Sequence, residues 1–306
     1  MAELSQDDLM FRPGLMQGQR ILITGGGTGL GKVMAEACLI LGAEVYICGR
    51  RGGVVEATAK ELTEAHAAEK SAGKCVGLAC DIRVPEAIGD MIDSIWADGG
   101  ALTGLVNNAA GNFISRTEDL SARGFDAIAN IVFRGSFFVT LECGKRWLKE
   151  GKHASVVSIL TTWVWNGGPF TVPSAMSKAG LNVMTQSLAV EWGNRGVRFN
   201  AIAPGPFPTE GAWSRLNPGG ATQGQTADPT IPLNRNGEMR ELANLAVYLL
   251  DPGSAYVNGQ TIAIDGGSHL RGGGFSRLAE WGDAEWETAR NSIRAANEKD
   301  RAQRTV

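Results

Sequence analysis

The 306-residue chain has no long hydrophobic run, no block of like charge, no paired-cysteine motif, and only three histidines and three tyrosines. Each absence narrows what the protein can be. With no apolar segment reaching the roughly twenty residues that span a bilayer, no transmembrane helix is expected. Lysine and arginine number 29 against 32 acidic residues, a net charge of −3 with the signs intermixed, so neither nucleic acid nor an anionic membrane is expected as a partner. Cys38, Cys48, Cys75, Cys80 and Cys143 are odd in number, lie mostly inside apolar segments, and show neither CxxC spacing nor a nearby histidine pair. They read as reduced core thiols, and no metal site is expected. The start, MAELSQDDLMFRPG, carries Glu3, Asp7 and Asp8 where a secretory or transit peptide would be basic. No targeting signal is seen there, and a cytoplasmic protein is expected.

What is present is an alternation. At 43% hydrophobic content, a chain of this length can bury one large α/β core. Short apolar runs at 20–24, 44–48, 75–80, 104–109, 155–160, 197–203 and 261–264 are separated by longer helical patterns such as 32–41, 54–70 and 85–97. Strands apolar on both faces and spaced by helices imply a parallel sheet covered on each side. The expected fold is therefore α/β: a single doubly wound Rossmann domain over 1–306 with a parallel seven-stranded sheet. The pattern lapses at 204–237, rich in Gly, Pro, Thr and Asn with a brief possible helix at 212–216, and from 272 onward. The first lapse reads as a substrate lid. The second reads as a C-terminal extension, a loop and then a polar helix, whose Trp281 and Trp286 are expected to pack on a neighbouring surface. Residues 1–17 form an N-terminal arm.

The stretch ILITGGGTGLGK sets Gly25, Thr28, Gly29, Leu30 and Gly31 directly after the first strand and at the start of a helix. Glycines there let the backbone turn sharply and approach a pyrophosphate, which the free N–H groups and positive potential of the helix end attract. At the end of the second strand, a carboxylate would hold the ribose 2′-hydroxyl of NAD. The chain has Arg50 and Arg51 after Gly49 instead. Two guanidinium groups suit a 2′-phosphate, so NADP(H) is the expected cofactor.

The motifs TGGGTGLG, CDIR (80–83), NNAAG (107–111), the helix bearing Lys178 and PGP (204–206) resemble the short-chain dehydrogenase/reductase superfamily over almost the whole chain. Within it, NNAAGNFIS, GSFFVTLECGK, FTVPSAMSKAG, PGPFPTEGAWSRLNP and the tryptophan-bearing tail are most similar to the 2,4-dienoyl-CoA reductases, the mitochondrial kind in particular. The resemblance implies that Asn108, Ala109 and Ala110 let the cofactor pass close to the fourth strand and that Asp81 and Ile82 sit beside the adenine. It also implies that Pro204, Gly205, Phe207 and Thr209 hold the nicotinamide end and that Lys178 bonds the nicotinamide ribose. An acyl-CoA substrate, with Arg215 of the lid meeting CoA phosphates, is implied as well. So is a homotetramer pairing the helices over 124–148 and 173–192.

Three departures bear on chemistry. Ordinary members place a tyrosine four residues before the lysine, its pKa lowered by the ammonium so that it protonates a substrate oxygen; Ser174 stands there. The tyrosine of mitochondrial dienoyl-CoA reductases falls on Trp163, whose indole donates a hydrogen bond but is no proton source near neutrality. An asparagine that binds the thioester oxygen falls on Arg134, and the peroxisomal aspartate falls on Val132. Tyr46, Tyr248 and Tyr256 lie on other elements, as do His66, His153 and His269. One reading has Arg134 stabilise the oxyanion while water held by Ser174, Thr161 or Lys178 protonates carbon. The plainer reading has Arg134 in a surface ion pair, Trp163 and Trp165 lining an apolar pocket, Ser174 clearing space, and Thr161 and Thr162 as ordinary strand-end residues. Function divides likewise: an NADPH-dependent dienoyl-CoA-like reductase, a short-chain reductase of a non-CoA ketone or enone, or a catalytically weak NADP(H)-binding protein.

Overall fold

Runs that are apolar on both faces have one stable place, between two layers of helices. In the computed structural model, which describes residues 3–209, 231–272 and 274–304, the seven runs become β1 (Arg20–Thr24), β2 (Glu44–Gly49), β3 (Lys74–Ala79), β4 (Gly104–Asn107), β5 (Ala154–Ile159), β6 (Val197–Pro204) and β7 (Thr261–Ile264). All pair in parallel, in the order β3-β2-β1-β4-β5-β6-β7. The chain winds outward from β1 to β3, then returns to lay β4 against the free side of β1. That reversal opens a crevice beyond the carboxyl ends of β1 and β4, the usual ligand position in such sheets.

The helices of the sheet-bearing unit are α1 (Gly29–Ile40), α2 (Gly52–Ala65), α3 (Pro85–Gly99), α4 (Ala122–Ala129), α5 (Ser136–Glu150), α6 (Trp163–Asn166), α7 (Val172–Gly193) and α8 (Met239–Leu250). One core cluster joins α1, α8 and the sheet, and also takes in Leu4, Leu9 and Met16 of the N-terminal arm. A second cluster joins α3, α5 and α7 to the opposite face. Its Trp147 is fully buried and gives its indole N–H to the Leu102 carbonyl at 2.7 Å, so truncation to alanine would cost about 3–5 kcal/mol.

Two helices depart from their periodicity. The pattern over 54–70 predicts a helix longer than α2, which stops at Ala65. His66 turns inward, its Nε2 lying 3.0 Å from Glu36 and its Nδ1 2.8 Å from Glu69. Glu36 is wholly buried and also accepts the backbone N–H of Glu3, so the arm, α1 and the end of α2 meet on one carboxylate. Over 124–148 a π turn, Asn130–Gly135, separates α4 from α5; such turns recur near functional sites. There Gly135 passes so close to Ile82 that a Cβ would lie 2.8 Å from its side chain. The stretch Ala122–Glu150 has the length and hydropathy of a membrane-crossing helix, but its Val139, Cys143 and Trp147 are buried in the core.

By its contacts the chain divides into two units, Met1–His269 and Leu270–Val306. The second holds α9 (Asp283–Arg304), and its two tryptophans meet each other: the rings of Trp281 and Trp286 pack edge to face at 5.2 Å. All five cysteines are free thiols, with Cys38, Cys48, Cys80 and Cys143 buried. Burial pushes Cys38 and Cys75 up to about 12 and Cys80 up to about 11.

Candidate active site

The turn from β1 into α1 is packed too tightly for side chains. Gly25 has φ +65°, and a Cβ on it would stand 2.8 Å from the Cα of Ala109. A Cβ on Gly31 would stand 2.4 Å from the Gly25 carbonyl oxygen and 2.5 Å from Asn108 Nδ2. Asn108 ties the two strand ends together, donating its amide to the carbonyls of Thr24 at 3.0 Å and Gly25 at 3.2 Å. The Thr24 hydroxyl in turn accepts the backbone N–H groups of Asn108 and Ala109, each at 3.0 Å. Thr28 is extended at the N-cap of α1, followed by Gly29, Leu30 and Gly31 in the first turn, whose N–H groups have no intrahelical partner and suit an anion. Thr209, on the segment after β6, closes over Gly29, 3.5 Å from where a Cβ would be.

A cleft runs from this turn along the carboxyl ends of β2 and β3, lined by Gly25, Thr28, Arg50, Arg51, Asp81, Ile82 and Ala109 among others. The structure therefore brings together the glycine loop, the arginine pair and the CDIR residues. Arg50 and Arg51 are exposed at the rim. The Asp81 carboxyl is held below its ordinary range, chiefly by the Arg83 guanidinium, against the opposing effect of burial. A backbone cradle that excludes Cβ atoms, a helix amino end and two guanidinium groups fit a nicotinamide dinucleotide.

The residues expected at the chemical end lie near the carboxyl end of β5. Ser174 and Lys178 are one turn apart on α7, hence on one face, and both are buried. Lys178 donates its ammonium to the Ile159 carbonyl. Burial pushes its pKa down to about 8. Thr161 accepts the backbone N–H of Trp163 at 3.2 Å, which starts α6, and the Trp163 indole covers Gly168. On the other side, Pro204 ends β6, Gly205 donates its N–H to Ile264 at 3.0 Å, and Phe207 is buried. Ala110 follows Ala109 in the loop after β4. The lid helix expected at 212–216, and Arg215 with it, lie outside the described residues.

Arg134 engages a backbone carbonyl and an aromatic ring. It is exposed on the π turn, donates to the Arg83 carbonyl at 2.7 Å, and lies 4.8 Å over the Phe138 ring. A free carbonyl beyond β3 and an aromatic face four residues on offer the guanidinium more than an apolar pocket does. Val132, by contrast, is fully buried. One residue set aside in the sequence comes forward: His269, in the turn after β7, lays its ring on Trp165 of α6 at 4.8 Å and 31°. Its Nδ1 lies 2.7 Å from Asp265 Oδ2. The signal was an aspartate ending a strand with a histidine four residues later, unreadable until the fold set that turn beside α6.

A glycine cradle at the switch point of a parallel sheet, with a buried lysine facing the strand ends, defines a dinucleotide-dependent oxidoreductase. Residues 25–269 match the family model described as enoyl-(acyl carrier protein) reductase. The chain is similar to a probable 2,4-dienoyl-CoA reductase of Caenorhabditis elegans named as (3E)-enoyl-CoA-producing, 41% identical over 300 residues, 96% of this chain and 95% of that one. It is also similar to a probable 2,4-dienoyl-CoA reductase of Bacillus subtilis named as (2E)-enoyl-CoA-producing, 36% identical over 256 residues, 83% of this chain and 98% of that one. Among solved structures, the Pseudomonas aeruginosa RhlG/NADP active-site complex superposes with a TM-score of 0.75 at 27% identity, covering 85% of this chain and 100% of that one. The protein belongs to the short-chain dehydrogenase/reductase family.

Proposed function

We propose that the protein is an NADPH-dependent reductase of a conjugated unsaturated acyl thioester, of the 2,4-dienoyl-CoA kind. The observation that carries this reading is Ser174, a hydroxyl with no acidic proton, one turn before the buried Lys178. Reduction of a ketone needs an acid for the oxygen, and a phenol usually supplies it. Reduction of a conjugated thioester ends with the proton on carbon, so a site can dispense with that phenol. The dienoyl-CoA reductases similar to this chain support the same substrate class.

NADPH would supply a hydride to the far end of the conjugated system. Arg50 and Arg51 would hold its 2′-phosphate, in keeping with the NADP named for RhlG, and Lys178 its nicotinamide ribose. The electron pair displaced toward the thioester oxygen meets the Lys178 ammonium and the Ser174 hydroxyl, a preorganised cation and donor in a water-poor setting. Ser174 and Thr161 hold water on the proton's path, and Trp163 and Trp165 wall the apolar part of the pocket. Exposed Phe133, Phe137, Met176, Val183 and Val190 on the π turn, α5 and α7 support a homotetramer built on these helices.

The test is oxidation of NADPH with trans-2,trans-4-hexadienoyl-CoA, run beside NADH and a non-CoA enone. Turnover of the thioester with NADPH is expected, and replacing Arg50 and Arg51 together by alanine should erase the preference over NADH. Faster reduction of the enone, unaffected by added CoA, would refute the substrate class.

A further inference from the structure

A reductase of this kind still needs a proton source, and the superfamily's phenol is absent. Tyr46 is buried with its hydroxyl engaged by Arg20 and Asp98, while Tyr248 and Tyr256 are exposed on α8 and the loop before β7. Ser174 and Thr161 can carry a proton but do not furnish one near neutrality, and the Lys178 ammonium is held by the Ile159 carbonyl and retained as the cation that meets the oxyanion. Of the histidines, His66 bridges Glu36 and Glu69, and His153 lies against Gly196, before the amino end of β5. His269 alone stands at the carboxyl ends of the strands.

Resting on the reading above, we propose that the His269 imidazole is the general acid of this site and that Asp265 is its positioning residue. Three features place it. The ring lies on the indole of Trp165, within the α6 segment that begins two residues after Thr161. Asp265 itself packs on Gly205, so closely that a Cβ there would lie 2.6 Å from Asp265 Cβ, and Gly205 belongs to the segment expected at the nicotinamide end. The Asp265 carboxylate is fixed on three sides, by the backbone N–H of Gly267 at 3.0 Å, the backbone N–H of His269 at 2.7 Å and the ring Nδ1 at 2.7 Å.

Asp265 accepts the Nδ1 proton, which leaves Nε2 as the nitrogen that exchanges protons. Burial works against ionisation of Asp265, but the bonds from His269 and Gly267 outweigh it and keep the carboxyl charged. Among the described residues, the ring meets Asp265 from its own turn and Trp165 from α6, whose sequence WVWN brings no charge.

NADPH, when bound, would supply the hydride for a new C–H bond at the far carbon, the alkene pairs would shift along the conjugated system, and the carbonyl pair would come to rest on the thioester oxygen. The dienolate collapses, and a C–H bond forms with the proton released by Nε2 through the water held by Ser174 and Thr161. The neutral imidazole recovers a proton from solvent, which its partly exposed side chain meets. Both electrons come from the nicotinamide and the second hydrogen from His269.

The experiment compares wild type with His269→Gln and His269→Asn on trans-2,trans-4-hexadienoyl-CoA and NADPH, across about pH 6 to 9. Binding of NADPH is followed separately by its fluorescence. The expected result is a fall in kcat of ~10²-fold or more in both variants, with KM and NADPH affinity unchanged. Beside the alkaline decline set by Lys178, which burial holds at about 8, wild-type kcat should show a further limb from His269 that is absent in the variants. A ring that merely supported Trp165 would not remove that limb. Variants with wild-type kcat and pH profile overturn the assignment of His269 and leave the substrate reading standing. A wild type that binds NADPH and reduces no dienoyl thioester overturns both.

Discussion

Replacing Lys178 by methionine should abolish turnover and at the same time make the cofactor-free protein more stable at neutral pH. Lys178 is 4% exposed, and among the described residues its ammonium bonds the neutral Ile159 carbonyl. Burial takes its pKa from an ordinary 10.5 to about 8, which corresponds to about 3 kcal/mol against the folded state. Because the folded value is the lower one, the unfolded chain binds more protons between about pH 8 and 10.5. Wild-type stability therefore rises with pH through that window, and below it the whole cost is present. Methionine removes the charge at similar length but leaves the Ile159 carbonyl without a donor, returning about 1–2 kcal/mol. The net gain is about 1–2 kcal/mol at pH 7, read by urea unfolding, and it should vanish by about pH 10. A variant less stable than wild type at pH 7, or an advantage that does not shrink as pH rises, would refute the reasoning.

Gly31→Ala forces a methyl to within 2.4 Å of a backbone oxygen and 2.5 Å of the Asn108 amide. It should cost about 1–3 kcal/mol in urea unfolding and weaken NADPH binding by about tenfold or more, measured by fluorescence titration. For His66, burial lowers its pKa, but the bonds to Glu69 and Glu36 outweigh it and raise the value in the folded state. Its stabilisation is thus complete below the ordinary 6.5 and is lost as pH rises through the folded value. His66→Gln should cost most on the acid side and flatten the decline of thermal midpoint toward alkaline pH.

Legibility followed the range of the forces involved. Each strand was placed within two residues because an apolar run marks it without knowledge of partners, even at the edges, where β3 and β7 are only partly buried. The glycine loop, Arg50, Arg51, Asp81 and Ile82 were readable for a related reason: each sits at a strand end whose place in the sheet is set by order alone. Helix ends were harder. The pattern past Ala65 is helical, and only the Glu36 carboxylate, thirty residues back in the chain, turns His66 aside. The contacts of Arg134 were not legible because counting along a helix does not reveal which carbonyl or ring a long side chain will find. His269 was passed over because its partner across space, Trp165, is set by the docking of α6 beside the end of β7.

The buried thiols give the protein an unlabelled gauge of its own breathing. Alkylating reagents attack the thiolate, and burial keeps these groups protonated, so modification must wait for the sheet to part. Cys48 and Cys80 line the cleft that runs past Arg50 and Asp81, whereas Cys38 and Cys143 lie deep under the helices on opposite faces. Mapping which cysteine is modified first would distinguish gaping of the cleft from separation of either helical layer, and repeating the map with a bound dinucleotide would show which of those motions ligand arrests.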